Sequence, residues 1–323
     1  MLRAGVIRPC AIAAIAIGAM VADLPGASPL AAQARCQPAP NALGVARTIE
    51  IDATGGPRFG RLQYRDHDFL QDGEVVLTFD DGPHPSFTPM ILDALDDHCT
   101  KATFFVLGQR ALSFPGHLRE VGRRGHTIGT HTHSHPNLGR SSAAQVEAEI
   151  ELAISAAQFA LDGPTAPFFR FPYLSDSGAA QRYLQSRDIV NISIDVDSND
   201  FRTKSPSRMI SNVLKGLEDK KKGIVLFHDI QPSTAHGIRQ MLAELKARGY
   251  RIVHLTPKQS QSTIATFDER IERSHGTSPR VAAVRPGPEP IARPTPRQAS
   301  APSQAQQPRY QPRDWRDTIF GRW

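Results

Sequence analysis

The chain has 323 residues, enough for two average domains or for one barrel with tails. A hydrophobic fraction of 40% and a charged fraction of 22% are those of an ordinary soluble protein with a core of its own, and nothing in them implies a fibrous or membrane-spanning class. The formal charge of +6 gathers at one end, where eight Arg between Gly276 and Trp323 face only Glu289, Asp314 and Asp317.

The first predicted element is an apolar run from Cys10 to Ala22, preceded by Arg3 and Arg8 and too short to cross a bilayer comfortably. It reads as a secretory signal over 1–34, with Ala32-Gln33-Ala34 as a small-residue cleavage site; an uncleaved anchor is the other reading. Export places the mature chain in the periplasm, the cell envelope or outside the cell. Cys10 leaves with such a signal, so Cys36 and Cys99 remain, either as a disulfide pair or as two buried thiols.

Residues 35–73 read as an N-terminal extension, with weak strand character over 48–51 and a turn at Gly55-Gly56-Pro57. From 74 to 256, short β-rich apolar runs alternate with helical patterns about seven times, the signature of an α/β domain with parallel strands. The strand candidates are 75–79, 102–107, 126–130, 167–171, 189–194, 224–227 and 251–255. The clearest helix spans 143–161, with Val146, Ile150, Ile154, Ala157 and Leu161 on one face and a capping box of Ser142 with Gln145. A second runs from His236 to Arg248 and stops at Gly249. Periodicity leaves a closed barrel and an open doubly wound sheet equally open.

Residues 257–323 form a tail rich in Pro, Gln, Ser, Ala and Arg that has little to bury and is expected to be disordered. Coulomb attraction lets such a tail hold an anionic envelope polymer, whereas Arg residues this scattered also suit a merely solvated extension. A nucleic-acid partner is not expected.

The chemistry gathers at strand ends. The strand from Val75 ends in Thr78-Phe79-Asp80-Asp81-Gly82-Pro83. Two carboxylates beside a core are costly unless a cation compensates them, although Asp-Asp-Gly-Pro is also good turn chemistry. Another strand ends in His131-Thr132-His133-Ser134-His135. Imidazoles at i and i+4 converge on one ion if the segment turns helically, and an isolated pair of this kind also suits an exposed loop. With Asp81 they make three ligands and leave a position open for water, the mark of a catalytic metal site. Arg170-Phe171-Pro172-Tyr173, Asp195 to Phe201, and Leu226-Phe227-His228-Asp229 end three further strands. In barrels of alternating strands and helices such ends share one face, where active sites form.

These five segments, in this order, resemble the five motifs of polysaccharide deacetylases with a NodB homology domain, over roughly residues 74–255. The resemblance implies a distorted (β/α) barrel of about seven strands with its active site at the C-terminal strand ends. It implies a divalent metal, zinc above all, and hydrolysis of acetyl groups on chitin, chito-oligosaccharides, peptidoglycan or acetylated xylan. Asp81, His131 and His135 would hold the metal, Asp80 would act as general base and His228 as general acid. Arg170 and Asp200 would support Asp80 and His228, and the Tyr173 backbone N–H would stabilise the oxyanion. Tyr173 would also wall the substrate groove, and Phe201 and Leu226 would line the acetyl methyl. Where the fourth motif commonly ends in Trp, this chain has Phe201, which keeps an aromatic wall without the indole N–H. An acetylated polysaccharide or oligosaccharide is the expected substrate, an N-acetylated amino-sugar polymer first among them. An O-acetyl esterase and a non-catalytic carbohydrate-binding barrel are the two rival readings.

Overall fold

The computed structural model describes residues 42–65 and 67–276. The expected signal, Cys10, Cys36 and the basic segment after Gly276 lie outside the described residues. Among the described residues there are ten strands: β1 (Arg47–Ile51), β2 (Arg58–Phe59), β3 (Glu74–Asp80), β4 (Thr103–Val106), β5 (Thr127–Thr130), β6 (Phe168–Phe169), β7 (Val190–Ile192), β8 (Val196–Asp197), β9 (Gly223–His228) and β10 (Arg251–Pro257). In the same described residues eight α-helices accompany them: α1 (Phe87–Asp97), α2 (Gly108–Ser113), α3 (Pro115–Arg123), α4 (Ala143–Leu161), α5 (Gly178–Ser186), α6 (Pro206–Lys220), α7 (Pro232–Ala247) and α8 (Ala265–His275). The seven strand candidates fall on β3 to β7, β9 and β10.

Every strand pairing is parallel, and the path β8-β9-β3-β4-β5-β6-β7-β2 is hydrogen-bonded throughout, with β10 against the start of β3 and β1 outside β10. The sheet is curled. The Arg170 side chain, leaving the end of β6, bonds both Thr78 on β3 and the carbonyls of Ile192 and Ser193 at the end of β7. Elements three strands apart on one side and adjacent on the other come within reach of one guanidinium only if the sheet wraps around it. The result is a distorted (β/α) barrel, with β2 at one end of the strand path and β8 at the other.

Alternation along β3 sorts the two layers. Val75, Leu77 and Phe79 join the large cluster packed against helices, while Val76 belongs to the second cluster with Phe105, Phe168, Val190, Ile192 and Ile224. Phe79 stacks on Phe104 and Phe227 at centroid distances of 4.9 and 5.5 Å, which fixes β3 between β4 and β9. Thr78 and Asp80 follow Val76 on the inward face, so the last inward position of a central strand is a carboxylate.

Three expectations need correction. Part of the segment 35–73 is built into the sheet: β1 runs in register with β10, β2 with β7, and the Arg47 guanidinium grips the Glu74 carboxylate at 2.7 and 2.8 Å. The strand Arg-Thr-Ile-Glu-Ile carries polar residues on its exposed side, as an edge strand does, and β2 is too short for any period to show. Helix α7 begins at Pro232, four residues before the expected start, because proline is well placed in a first helical turn. Residues 257–276 are not all tail, since α8 buries Ile271. Helix α4 has the expected span and its capping box.

Candidate active site

The C-terminal ends of β3, β5, β6, β8 and β9 deliver the polar residues singled out in the sequence. Asp80 closes β3, and Asp81 leaves it with a left-handed φ of 75°. The two neighbouring carboxylates therefore diverge. The loop after β5 contains two more left-handed residues, Thr132 (φ 71°) and His135 (φ 66°). Strain of this kind costs about 1–3 kcal/mol per residue and persists where the surroundings over-determine it. Here Thr132 Oγ1 accepts the His135 N–H at 3.0 Å, and the Glu149 carboxylate on α4 accepts the N–H groups of His133 and Ser134 and the Ser134 hydroxyl at 2.7–3.0 Å.

The loop so held brings His131 Nε2 and His135 Nε2 to 3.5 and 3.4 Å from Asp81 Oδ1. One ligand atom from each of the three residues lies within 4.8 Å of the others. Asp81 Oδ1 is buried and makes no hydrogen bond among the described residues. An orphaned carboxylate oxygen facing two imidazole nitrogens is costly by itself and fits a divalent cation. The tautomer of His131 fits too: its Nδ1 donates to the Arg170 carbonyl at 2.7 Å, which leaves Nε2 unprotonated toward Asp81. The donor set of one carboxylate and two imidazoles is that of a transition-metal site with an open position. His133, third imidazole of the motif, turns away from this group against Gly108.

Asp80 lies beside the triad without belonging to it. Its Oδ1 accepts from Arg170 Nη1 at 2.8 Å, and its Oδ2 stands 3.8 Å from His131 Nε2. Burial pushes the Asp80 carboxyl up to about 6 against the opposing charges of Arg170 and His228. Arg170 is fully buried; it also bonds Thr78 and two main-chain carbonyls and lies over the Phe105 ring at 4.3 Å. Burial acts on Asp81 in the same upward sense, but His135, His228, His131 and Arg110 together hold its carboxyl below the usual range.

Across the site, His228 ends β9. Burial disfavours its charged form, yet the Asp200 carboxylate at 2.7 Å, with Asp81 and Asp80 nearby, raises the imidazole to about 10. Asp200 is itself buried and fixed by the Thr234 hydroxyl at 2.5 Å and by the His228 N–H at 2.7 Å. Thr234 stands in the first turn of α7, the turn that the sequence pattern missed.

Two aromatic residues flank the opening. Tyr173 is 61% exposed, in a 3-10 turn at φ 58°, with its ring edge-on to His135 at 4.7 Å. Phe201 is 43% exposed and lies edge-on to His228 at 5.6 Å. Leu226 is buried on β9 beside Thr78 of β3. All ten candidate residues thus stand at or next to the same strand ends. Sequence reasoning assigned no role to Glu149 or Asp229. Asp229 is buried, takes the Thr88 hydroxyl at 2.5 Å, and packs so closely on Gly82 that any Cβ there would fall on its carboxylate. Burial, reinforced by Asp81, pushes its carboxyl up to about 7. Its place directly after His228 was the available signal.

Fold and site together define a class: (β/α) barrels that present a one-carboxylate, two-imidazole metal triad beside a separate carboxyl and an imidazolium. Residues 70–191 match the family model described as polysaccharide deacetylase, which takes in the triad, Asp80, Arg170 and Tyr173. A peptidoglycan-N-acetylglucosamine deacetylase of Listeria monocytogenes is 36% identical over 180 residues, 55% of this chain and 37% of that protein. A chitin deacetylase of Colletotrichum lindemuthianum is 33% identical over 195 residues, 57% of this chain and 78% of the relative. Among solved structures, a Bdellovibrio bacteriovorus peptidoglycan deacetylase superposes with a TM-score of 0.62 at 33% identity, over 68% of this chain and 61% of that one. The chain belongs to the polysaccharide deacetylase family, and it spans little more than a third of the length of the Listeria relative.

Proposed function

We propose that the protein is a metal-dependent deacetylase that hydrolyses N-acetyl groups of an amino-sugar polymer, peptidoglycan or a chitin-like glycan, with zinc as its metal. The observation that carries this reading is the division between Asp81, whose orphaned oxygen faces His131 and His135, and Asp80, which is held by Arg170 outside that triad. The names of the relatives, peptidoglycan and chitin deacetylases, support an N-acetylated polymer as substrate.

When bound by Asp81, His131 and His135, the metal supplies Lewis-acid polarisation of the acetyl carbonyl and acidifies the attacking water. Asp80 takes the proton of that water: Arg170 occupies Oδ1 and keeps the carboxylate ionised, while Oδ2 points toward the triad. As the water oxygen adds to the carbonyl carbon, charge develops on the carbonyl oxygen, and the Tyr173 backbone N–H stabilises it. The turn's own hydrogen bonds run from Leu174 N–H to Phe171 and from Ser175 N–H to Pro172, and among the described residues that N–H has no main-chain acceptor. The carbon–nitrogen bond then breaks with proton transfer from His228 to the departing nitrogen, giving acetate and a free amine. Asp200 takes Nδ1 of His228 and leaves Nε2 as the donor. Phe201 and Leu226 line the methyl side of the acetyl group, and Tyr173 walls the groove.

The signal over 1–34 supports export to the periplasm, the envelope or the exterior, and no helix among the described residues is long and apolar enough to cross a membrane. The Arg-rich segment after Gly276 suits an anionic envelope polymer as a second contact.

The test is acetate release by metal-stripped and metal-restored protein from peptidoglycan, chitin oligomers and acetylxylan. Release from the first two only, restored by zinc, is expected. Release from acetylxylan alone would make the protein an O-acetyl esterase, and no release from any of the three would leave a binding barrel.

A further inference from the structure

The segment 58–65 lies ahead of the residues that match the family, and it is bonded to the backbone that carries Tyr173. Its course is closely determined. The Ser193 N–H donates to the Phe59 carbonyl, Gly60 passes so near the Ser193 backbone that a Cβ has no room, and the Leu62 N–H donates to the Ile194 carbonyl. The Arg61 N–H donates to Asp195 Oδ1 at 2.7 Å, and Asp195 Oδ2 accepts the Ile224 N–H of β9 at 2.7 Å. The segment therefore bridges the interval in the strand path between β7 and β9.

From this position two side chains reach the turn after β6. Gln63 Nε2 donates to the Leu174 carbonyl at 2.6 Å, while Gln63 Oε1 accepts the Ser193 hydroxyl at 2.5 Å. The Tyr64 hydroxyl donates to Asp176 at 2.5 Å and accepts from Gln181 and Asn191. Tyr173 and Leu174 both have left-handed φ angles, 58° and 52°, which two adjacent non-glycine residues keep only under external constraint. Gln63, bonded to Leu174, and Tyr64, bonded to Asp176, supply that constraint. Ser193, the second partner of Gln63, also offers its carbonyl to Arg170 Nη2 at 3.1 Å, and Arg170 fixes Asp80.

We infer that Gln63 is a positioning residue: it holds the strained Tyr173–Leu174 turn in register with the Ser193–Arg170–Asp80 chain, so that the Tyr173 N–H faces the reacting carbonyl. The inference rests on the deacetylase reading for its catalytic consequence and on geometry alone for the constraint. A glutamine suits this place because it donates to one loop and accepts from the other with a single rigid amide.

The test uses the full chain and Gln63→Met, which keeps the side-chain volume and removes both bonds, beside Ser193→Ala, which removes one. Hydrogen exchange at residues 173–176 reads the constraint whether or not the protein is active, and exchange there should quicken in Gln63→Met with little change at β3 and β9. On an N-acetylglucosamine oligomer, kcat should fall about ten- to a hundredfold with KM within about twofold and metal content unchanged, as for a misplaced oxyanion donor. Ser193→Ala should show a smaller effect, non-additive with Gln63→Met. Unchanged exchange at 173–176 overturns the constraint. Faster exchange with kcat unaltered, or a loss of metal or of the thermal transition that accounts for the rate, overturns the positioning role. An inactive wild-type chain with faster exchange in Gln63→Met would sink the deacetylase reading and leave the constraint standing.

Discussion

Asp200 holds His228 at two points, Oδ1 on the ring Nδ1 and Oδ2 on the main-chain N–H, both at 2.7 Å. The same carboxylate therefore sets where the imidazole sits and whether it is charged. Because the acid form of His228 is the reactive one and its titration is raised to about 10, the rate should fall as pH climbs through that region. Asp200→Asn removes the largest of the charges that raise it and leaves burial, which acts downward, opposed only by Asp81 and Asp80. The alkaline limb of kcat/KM should then move to lower pH, toward the ordinary histidine range. A limb that stays in place would show that some other group titrates there.

The neighbouring carboxylates Asp80 and Asp81 should separate cleanly by substitution. Asp80→Asn should retain its metal and lose about a hundred- to ten-thousandfold in rate, since an amide cannot take the proton. Asp81→Asn should bind metal weakly and recover part of its rate in excess metal. Metal content measured beside acetate release decides the matter; a metal-free Asp80→Asn, or a metal-replete but inactive Asp81→Asn, would exchange or merge the two roles.

His131→Ala removes one of three protein ligands, the minimum for such a site. Zinc content by atomic absorption should fall together with rate. Full occupancy in this variant would place the metal elsewhere.

Glu149 accepts three hydrogen bonds from the loop between His131 and His135, all of them from His133 and Ser134 and none from a ligand side chain. Glu149→Ala should weaken metal affinity by about ten- to a hundredfold, the usual scale for a residue that orients ligands, while the protein still folds. Competition with a chromogenic chelator gives the affinity, and circular dichroism checks the fold. Wild-type affinity in Glu149→Ala would show that Thr132 alone suffices to shape the loop.

The last prediction concerns the chain after Gly276. Truncation there should leave turnover of small soluble oligosaccharides unchanged and lower retention on an anionic insoluble polymer, more so at low salt. Failure of the shortened chain to fold would overturn it. Of the Cys36–Cys99 bridge raised in the sequence analysis one end is in view: Cys99 is disulfide-bonded, and both other cysteines lie outside the described residues.

What could be read in the sequence was whatever a local pattern carries. The seven apolar runs, the capping box of Ser142 with Gln145 and the polar residues that end β3, β5, β6 and β9 are all legible within a few residues of themselves. The pairing of Arg170 with Asp80, 90 positions apart, came only from resemblance, since nothing near either residue specifies the other. Gln63 and Glu149 stayed silent for the same reason: a glutamine in a loop and a glutamate on a helix are unremarkable until the fold shows what they meet. Strand β2, with two residues, is shorter than any period that could betray it, and α8 has one buried side chain to mark its inner face.

The parallel pairing of β1 with β10 has a mechanical consequence. The two strands point the same way, so tension that draws the chain backward from Arg47 and forward from Pro257 slides one along the other. Once α8 has peeled away, all five register pairs and the Arg47 grip on Glu74 bear the load together, in shear, instead of opening one by one as a zipper does. Fastened in this way, the barrel meets tension along the chain first at the β1–β10 pairing, ahead of the strand ends of β3, β5 and β9 on which the triad and His228 depend.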